Sequence, residues 1–169
     1  MLIYHPAYDA NHCLYRLLAI LQATTEFPIT WDQLRVLDYY YLFPSQLKNI
    51  KPWPSSIKDF RTKLKSIPDQ FEDINNPARV LYDLQVFQKT AALELIAKGI
   101  ISKSDFEGGL LKLNIDPLPS NFAELIENDC FLKSDAFEVI TKALPKIEFN
   151  GDSGLKKRSG LMEYIYDVK

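Results

Sequence analysis

The residue types best suited to chemistry sit near the start of the chain. His5, Asp9 and His12 follow as His-x3-Asp-x2-His, a spacing that would bring three metal-ligand types to one face of an unbroken helix. Pro6 interrupts that helix between the first two. Asp9 is itself the first cap signal, because its carboxylate suits the free N–H groups at a helix start. His5 then falls outside the helix, and what remains is a polar seam of Asp9, His12 and Arg16 on one face of the first helix. Cys13 adjoins His12, but neighbours on a helix diverge by about 100°, so the two do not make a thiol and its base. Cys13 reads as a buried structural cysteine. The chain has no P-loop, no G-x-S-x-G and no cysteine pair at zinc spacing. The expectation is a protein that is not an enzyme, with no catalytic residues, no metal and no cofactor.

Two further clusters suit binding rather than catalysis. Asp38-Tyr39-Tyr40-Tyr41-Leu42-Phe43-Pro44 is dense in aromatics. A helix cannot turn Tyr39, Tyr40, Tyr41 and Phe43 toward one core, so some must meet other segments of the chain or a partner, for which aromatic side chains are well suited. The second cluster is basic. Lys58, Arg61, Lys63 and Lys65 surround one short amphipathic stretch with only Asp59 among them, and Lys156-Lys157-Arg158 forms a run near the end. The ordinary role of such charges is a solvated helix face; their other role is contact with nucleic-acid phosphates.

Elements must position these clusters. The spacing predicts a helix from Asp9 through residue 23, with Leu14, Leu17, Leu18 and Leu21 on its apolar face. Thr30, with Gln33 three residues on, opens a second that ends before Pro44. Ile57, Phe60, Leu64 and Ile67 line an amphipathic helix capped by Ser55 or Ser56. Asn75-Asn76-Pro77 precedes a long helix over about 78–98, closed by Gly99 in the left-handed conformation. Ile100-Ile101 and Leu110-Leu111-Lys112-Leu113 flank Gly108-Gly109 and read as a β-hairpin. Two shorter helices follow, over about 120–128 and 134–144, then a Gly-Ser loop and an apolar end at Leu161, Ile165 and Tyr166.

The 169 residues suggest one domain, or one domain with an appendage. With 47% hydrophobic and 25% charged residues, the chain has the balance of a globular protein with a real core. Twenty basic against 22 acidic side chains exclude a histone-like or tail-like nucleic-acid binder. Two cysteines fit the reducing cytoplasm. No run approaches the roughly 20 apolar residues of a membrane helix, and the N-terminus lacks a signal-peptide pattern. Helix, helix, long helix and hairpin is the order of a winged-helix domain. The expected fold is therefore mainly α and winged-helix-like, with one short hairpin. Its domain spans residues 1–116 with an inserted helical segment at about 45–76, and a C-terminal helical extension spans 117–169. The long helix and the wing are near neutral, which favours protein docking over DNA reading.

A family resemblance rests on several short stretches. They are His5-Pro6-Ala7-x-Asp9-x-x-His12-x-x-x-Arg16, Leu37-Asp38-Tyr39-Tyr40-x-Leu42-Phe43-Pro44, Asn76-Pro77, Gln85-x-x-Gln88 and Ala97-Lys98-Gly99-Ile100-Ile101, with Gly160-Leu161-Met162 near the end. The chain resembles the middle component of bacterial ABC three-component, Lamassu-like defence systems. The resemblance implies a non-enzymatic adaptor between an SMC-like ABC ATPase and an effector, often a nuclease. DNA would be reached mainly through the ATPase, with no membrane and no small-molecule substrate involved. It tilts Asp9, His12, Arg16, Tyr39, Tyr40 and Phe43 toward a partner interface. It leaves Lys58, Arg61, Lys63, Lys65, Lys156, Lys157 and Arg158 as candidate nucleic-acid contacts. The competing function is a stand-alone winged-helix transcription regulator.

Overall fold

Side-chain caps set the helix ends. In the computed structural model, which describes residues 5–163, Asp9 Oδ1 accepts the backbone N–H groups of Asn11 and His12 at 2.8 and 3.0 Å, and helix α1 (Ala10–Ala23) follows. Thr30 Oγ1 accepts the Gln33 N–H at 3.3 Å and opens α2 (Trp31–Leu42). Asn76 Oδ1 accepts the Arg79 N–H at 3.0 Å and opens α3 (Pro77–Ala97). Its proline sits in the first turn, where a missing N–H leaves no bond unmade. Gly99, at φ +71°, ends α3. The Gly99 N–H reaches the Ile96 carbonyl at 3.0 Å and the Ile100 N–H reaches that of Leu95 at 2.9 Å. These are the two bonds of a Schellman end, in a conformation that favours glycine.

The apolar faces of α1, α2 and α3 meet as a three-helix core. Leu17, Ile20, Leu34, Leu37, Leu84 and Leu95 are wholly enclosed there. The helical reading is correct, and the wing is not. Among the described residues there is no strand. Ser102 instead caps one helical turn, α4 (Lys103–Phe106), its Oγ accepting the Asp105 N–H at 3.1 Å. The return segment makes one backbone bond across to the first, from the Asn114 N–H to the Ile100 carbonyl at 2.8 Å, while the Leu111 N–H donates to the Ile29 carbonyl at 2.7 Å. A local cap competes here with a hairpin and wins. The winged-helix expectation is thereby corrected to a helical core with a looped return, and the transcription-regulator reading loses the element that supported it.

The amphipathic stretch Ser55–Ser66 is a 3-10 helix rather than an α-helix, with a kink at Ile57. Residues three apart eclipse in such a helix, so Phe60, Lys63 and Ser66 share one line. That line faces the C-terminal part of the chain. Lys146 Nζ stands 5.3 Å from the Phe60 ring centroid, while Lys63 and Ser66 donate to Asp135 at 3.0 and 2.7 Å.

The C-terminal part contains α5 (Phe122–Asn128), α6 (Asp135–Glu138), a wider π turn over Val139–Ala143, a 3-10 turn over Leu144–Lys146, and α7 (Leu155–Ser159). Val139, Ile140, Leu144 and Leu155 have no exposed surface and belong to the same cluster as the α1–α3 core. Of the expected apolar end, Leu161 is buried; Ile165 and Tyr166 lie outside the described residues. Among those residues no helix is long and apolar enough to cross a membrane.

Candidate functional site

The polar seam of α1 turns inward. Arg16 Nε donates to Asp38 Oδ1 at 2.6 Å and Arg16 Nη2 to Asp38 Oδ2 at 3.2 Å, a bidentate pair with both side chains fully buried. A third helix joins it. Gln88 Nε2 donates to Asp38 Oδ2 at 2.9 Å and to the Arg35 carbonyl at 3.2 Å, while Arg35 Nε donates to Gln88 Oε1 at 3.1 Å. Arg16 Nη1 reaches the Pro6 carbonyl at 3.2 Å, which holds the N-terminal 3-10 turn (Pro6–Tyr8) on the bundle. One network thus ties α1, α2 and α3 together. Burial works against the Arg16 charge, but the charge and hydrogen bonds of Asp38 outweigh it and raise the guanidinium pKa. A buried pair is tolerated only when its remaining donors and acceptors are satisfied in this way.

Asp38 and Gln88 complete the network from outside the expected seam of Asp9, His12 and Arg16. A signal for both exists in the sequence. Asp38 interrupts the apolar series Leu34, Leu37, Tyr39, Tyr40, and Gln88 interrupts Leu81, Leu84, Ala91, Leu95. A charge or amide on the apolar side of a helix must find a partner inside.

Residues 2–167 match the family model described as ABC-three component (ABC-3C) system Middle Component 5. The chain belongs to this family. No curated protein and no solved structure matches it.

In this middle component the expected interface residues have divided. Arg16, Tyr39 and Tyr40 are at most 2% exposed, so they offer no docking surface in this fold, and that part of the expectation is corrected. The physical reason is the position of α2, which packs on α1 and α3 and also meets the C-terminal π turn. The aromatic cluster is shared among these neighbours. Tyr39 packs on Tyr40 and Phe43 at centroid distances of 5.5 and 5.1 Å, and Tyr41 packs on Phe131 at 4.5 Å. Asp9, His12 and Phe43 keep partial exposure at the edge of the bundle.

His12 Nδ1 lies 2.7 Å from Arg16 Nη1. Arginine has only protons to offer, so Nδ1 accepts and the imidazole is neutral with its proton on Nε2. Burial holds the His12 pKa below its ordinary value. The Arg16 charge acts in the same direction, while the carboxylates of Asp9, Asp38 and Asp129 pull against both. The folded state therefore takes up this proton later than the unfolded chain as pH falls. The stability that neutral His12 contributes is present above about pH 6.5 and is lost below it. His12→Gln is expected to flatten the curve of urea midpoint against pH between 7 and 5. A variant curve as steep as the wild type's would refute this.

Tyr39 presents the opposite case. Its Oη is buried and makes no hydrogen bond to a described group. An unsatisfied buried hydroxyl costs about 1–3 kcal/mol. Tyr39→Phe is expected to keep or raise the melting temperature, and a clear drop would show that Oη has a partner.

The remaining candidates are separated by their environments. His5 Nδ1 accepts the Ala7 N–H at 3.1 Å and Asp9 caps α1, so neither converges with His12 on a metal position. No group of three or more His, Cys, Asp or Glu side chains suited to a metal ion occurs among the described residues. Burial, with the Asp38 charge behind it, pushes the Cys13 thiol up to about 12, so it stays protonated at neutral pH. Lys63 is tied to Glu138 and Asp135 at 2.8 and 3.0 Å, and those carboxylates raise its pKa. Arg158 donates to the carbonyls of Ser153 and Pro52 and pins α7 to the 51–54 loop. Lys157 pairs with Glu163 at 3.9 Å. Lys58, Arg61, Lys65 and Lys156 are exposed and have no carboxylate partner among the described residues.

Proposed function

We propose that this chain is a non-enzymatic adaptor in an anti-phage defence complex, joining an SMC-like ABC ATPase to an effector, often a nuclease. The observation that carries the reading is the family match over residues 2–167, since a middle component is by its description one part of a larger system. The fold is compatible with it. The residues with the most chemical potential, Asp9, His12, Arg16 and Cys13, are engaged in capping, pairing and packing. Exposed apolar side chains instead stand on the outer side of α3, at Tyr82, Val86 and Leu93.

The test is reconstitution. Cells carrying the complete system are challenged with phage, with and without this chain. Tagged chain is purified from the same cells, and its nuclease and ATPase activities are assayed alone. Loss of protection without the chain, co-purification of the other two components, and no turnover by the chain alone are the expected results. Hydrolysis of DNA or nucleotide by the pure chain would overturn the non-enzymatic assignment.

A further inference from the structure

Between α2, α3 and α7 the surface opens into a cavity of about 250 Å³. Ala78, Leu81, Leu161 and Met162 supply apolar wall; Arg35, Lys156, Asp32 and Gln85 supply the polar part, and Tyr82 stands at the rim. Arg35 is the central feature. Its side chain is only 12% exposed, and Nε donates to Gln88 Oε1 at 3.1 Å. Nη1 forms an ion pair with Asp32 Oδ1 at the long distance of 3.6 Å. This one long pair, to a carboxylate that is itself half exposed, leaves the rest of the guanidinium fork open to a further acceptor. Burial lowers the Arg35 pKa, and Asp32 only partly offsets it. Lys156 adds a second cation with no partner of its own among the described residues. Two cations thus face one carboxylate across an apolar floor.

The rim continues into an apolar line. Tyr82, Val86 and Leu93 lie within about 40° of one another around α3, at 39%, 69% and 53% exposure. A nucleic-acid backbone would meet cations along such a line, not tyrosine, valine and leucine. A polypeptide with an acidic residue beside apolar ones matches both the cavity and the line.

We propose that this cavity receives the side-chain carboxylate of an acidic residue on another subunit of the system, whose apolar neighbours rest on Tyr82 and Val86. The Arg35 guanidinium supplies a planar fork suited to a carboxylate, and Lys156 supplies a second charge. The inference rests on the adaptor reading and adds to it the place and the chemistry of contact.

The test uses the full chain, tagged and co-expressed with the ATPase and effector components. Lys156→Glu and Val86→Asp are compared with wild type and with Lys65→Glu, a control on the Ser55–Ser66 segment. All four proteins are judged first by melting temperature, which exposed substitutions should leave within about 2 °C. Wild type and Lys65→Glu are expected to retain a partner. Lys156→Glu and Val86→Asp are each expected to retain about tenfold less or lower still. Full retention by both variants overturns this inference and leaves the adaptor reading intact. Equal loss with Lys65→Glu also overturns it, since the effect is then one of general charge. Loss of the wild-type complex on nuclease treatment assigns the contact to nucleic acid and overturns it as well. Failure of wild type to retain either component removes the adaptor reading and this inference together.

Discussion

Arg16→Met is expected to remove about 3–5 kcal/mol of stability, the range seen when one member of a buried ion pair is deleted. Asp38 would be left as a buried carboxylate, with the Gln88 amide its one remaining hydrogen-bond donor among the described residues. For a chain of this length the melting temperature should fall by roughly 10 °C. The double change Arg16→Met with Asp38→Leu should cost much less than the sum of the single changes, because it removes the pair without stranding a charge. Thermal melts of the three variants decide the matter. A shift of a degree or two in Arg16→Met would mean that water reaches Asp38 and that the network does not hold the bundle. Any loss of partner binding in this variant should be read as a loss of fold, since Arg16 is fully buried.

The second large effect concerns the C-terminal third. A chain ending at Asp116 is expected not to unfold cooperatively. Val139, Ile140, Leu144 and Leu155 are each 0% exposed and belong to the same apolar cluster as Leu17, Leu37 and Tyr40. Burial of an aliphatic side chain is worth about 1.5–3 kcal/mol, so four of them amount to roughly 6–12 kcal/mol. That equals the whole net stability of an ordinary domain, about 5–15 kcal/mol. Polar ties would be cut as well. Tyr15 Oη donates to Asp129 Oδ2 at 2.7 Å, and Lys63 and Ser66 would lose Asp135. A circular-dichroism melt compares the two chains. A sharp transition in the truncated one would show that residues 1–116 fold alone and that the remainder is an appendage.

Both effects come from contacts that link distant parts of the chain, and this is where the limit of the sequence lies. Local chemistry was legible. Asp9, Thr30 and Gly99 each announce a helix end through a side chain or a backbone freedom that acts within five residues, and all three act as expected. Apolar spacing marked Leu17, Leu18 and Leu21 on the buried face of α1, and the family resemblance followed from short motifs. Where two local solutions compete, the sequence does not choose. Ile57, Phe60, Leu64 and Ile67, spaced three, four and three, suit a 3.6-residue period, yet the segment takes 3-10 turns, with Lys63 and Ser66 bonded to Asp135 far along the chain. Ile100-Ile101 and the segment at Leu110 are apolar runs too short to separate strand from coil, and the Ile29 carbonyl takes the Leu111 N–H that a ladder would have used.

Whether a polar residue faces in or out is likewise a tertiary decision. Arg16 on its own helix looks like an exposed seam residue, fit for docking. It is buried because Asp38, 22 residues on, pairs with it, and Gln88, 50 residues beyond that, holds Asp38 from a third helix. A charge is free to leave water only where its partners are already assembled. The sequence by itself determined α1, α2 and α3, their ends and the family. Only the tertiary structure decided which charged side chains hold the bundle and which are left on its surface to meet another molecule, because desolvation depends on partners that no local window contains.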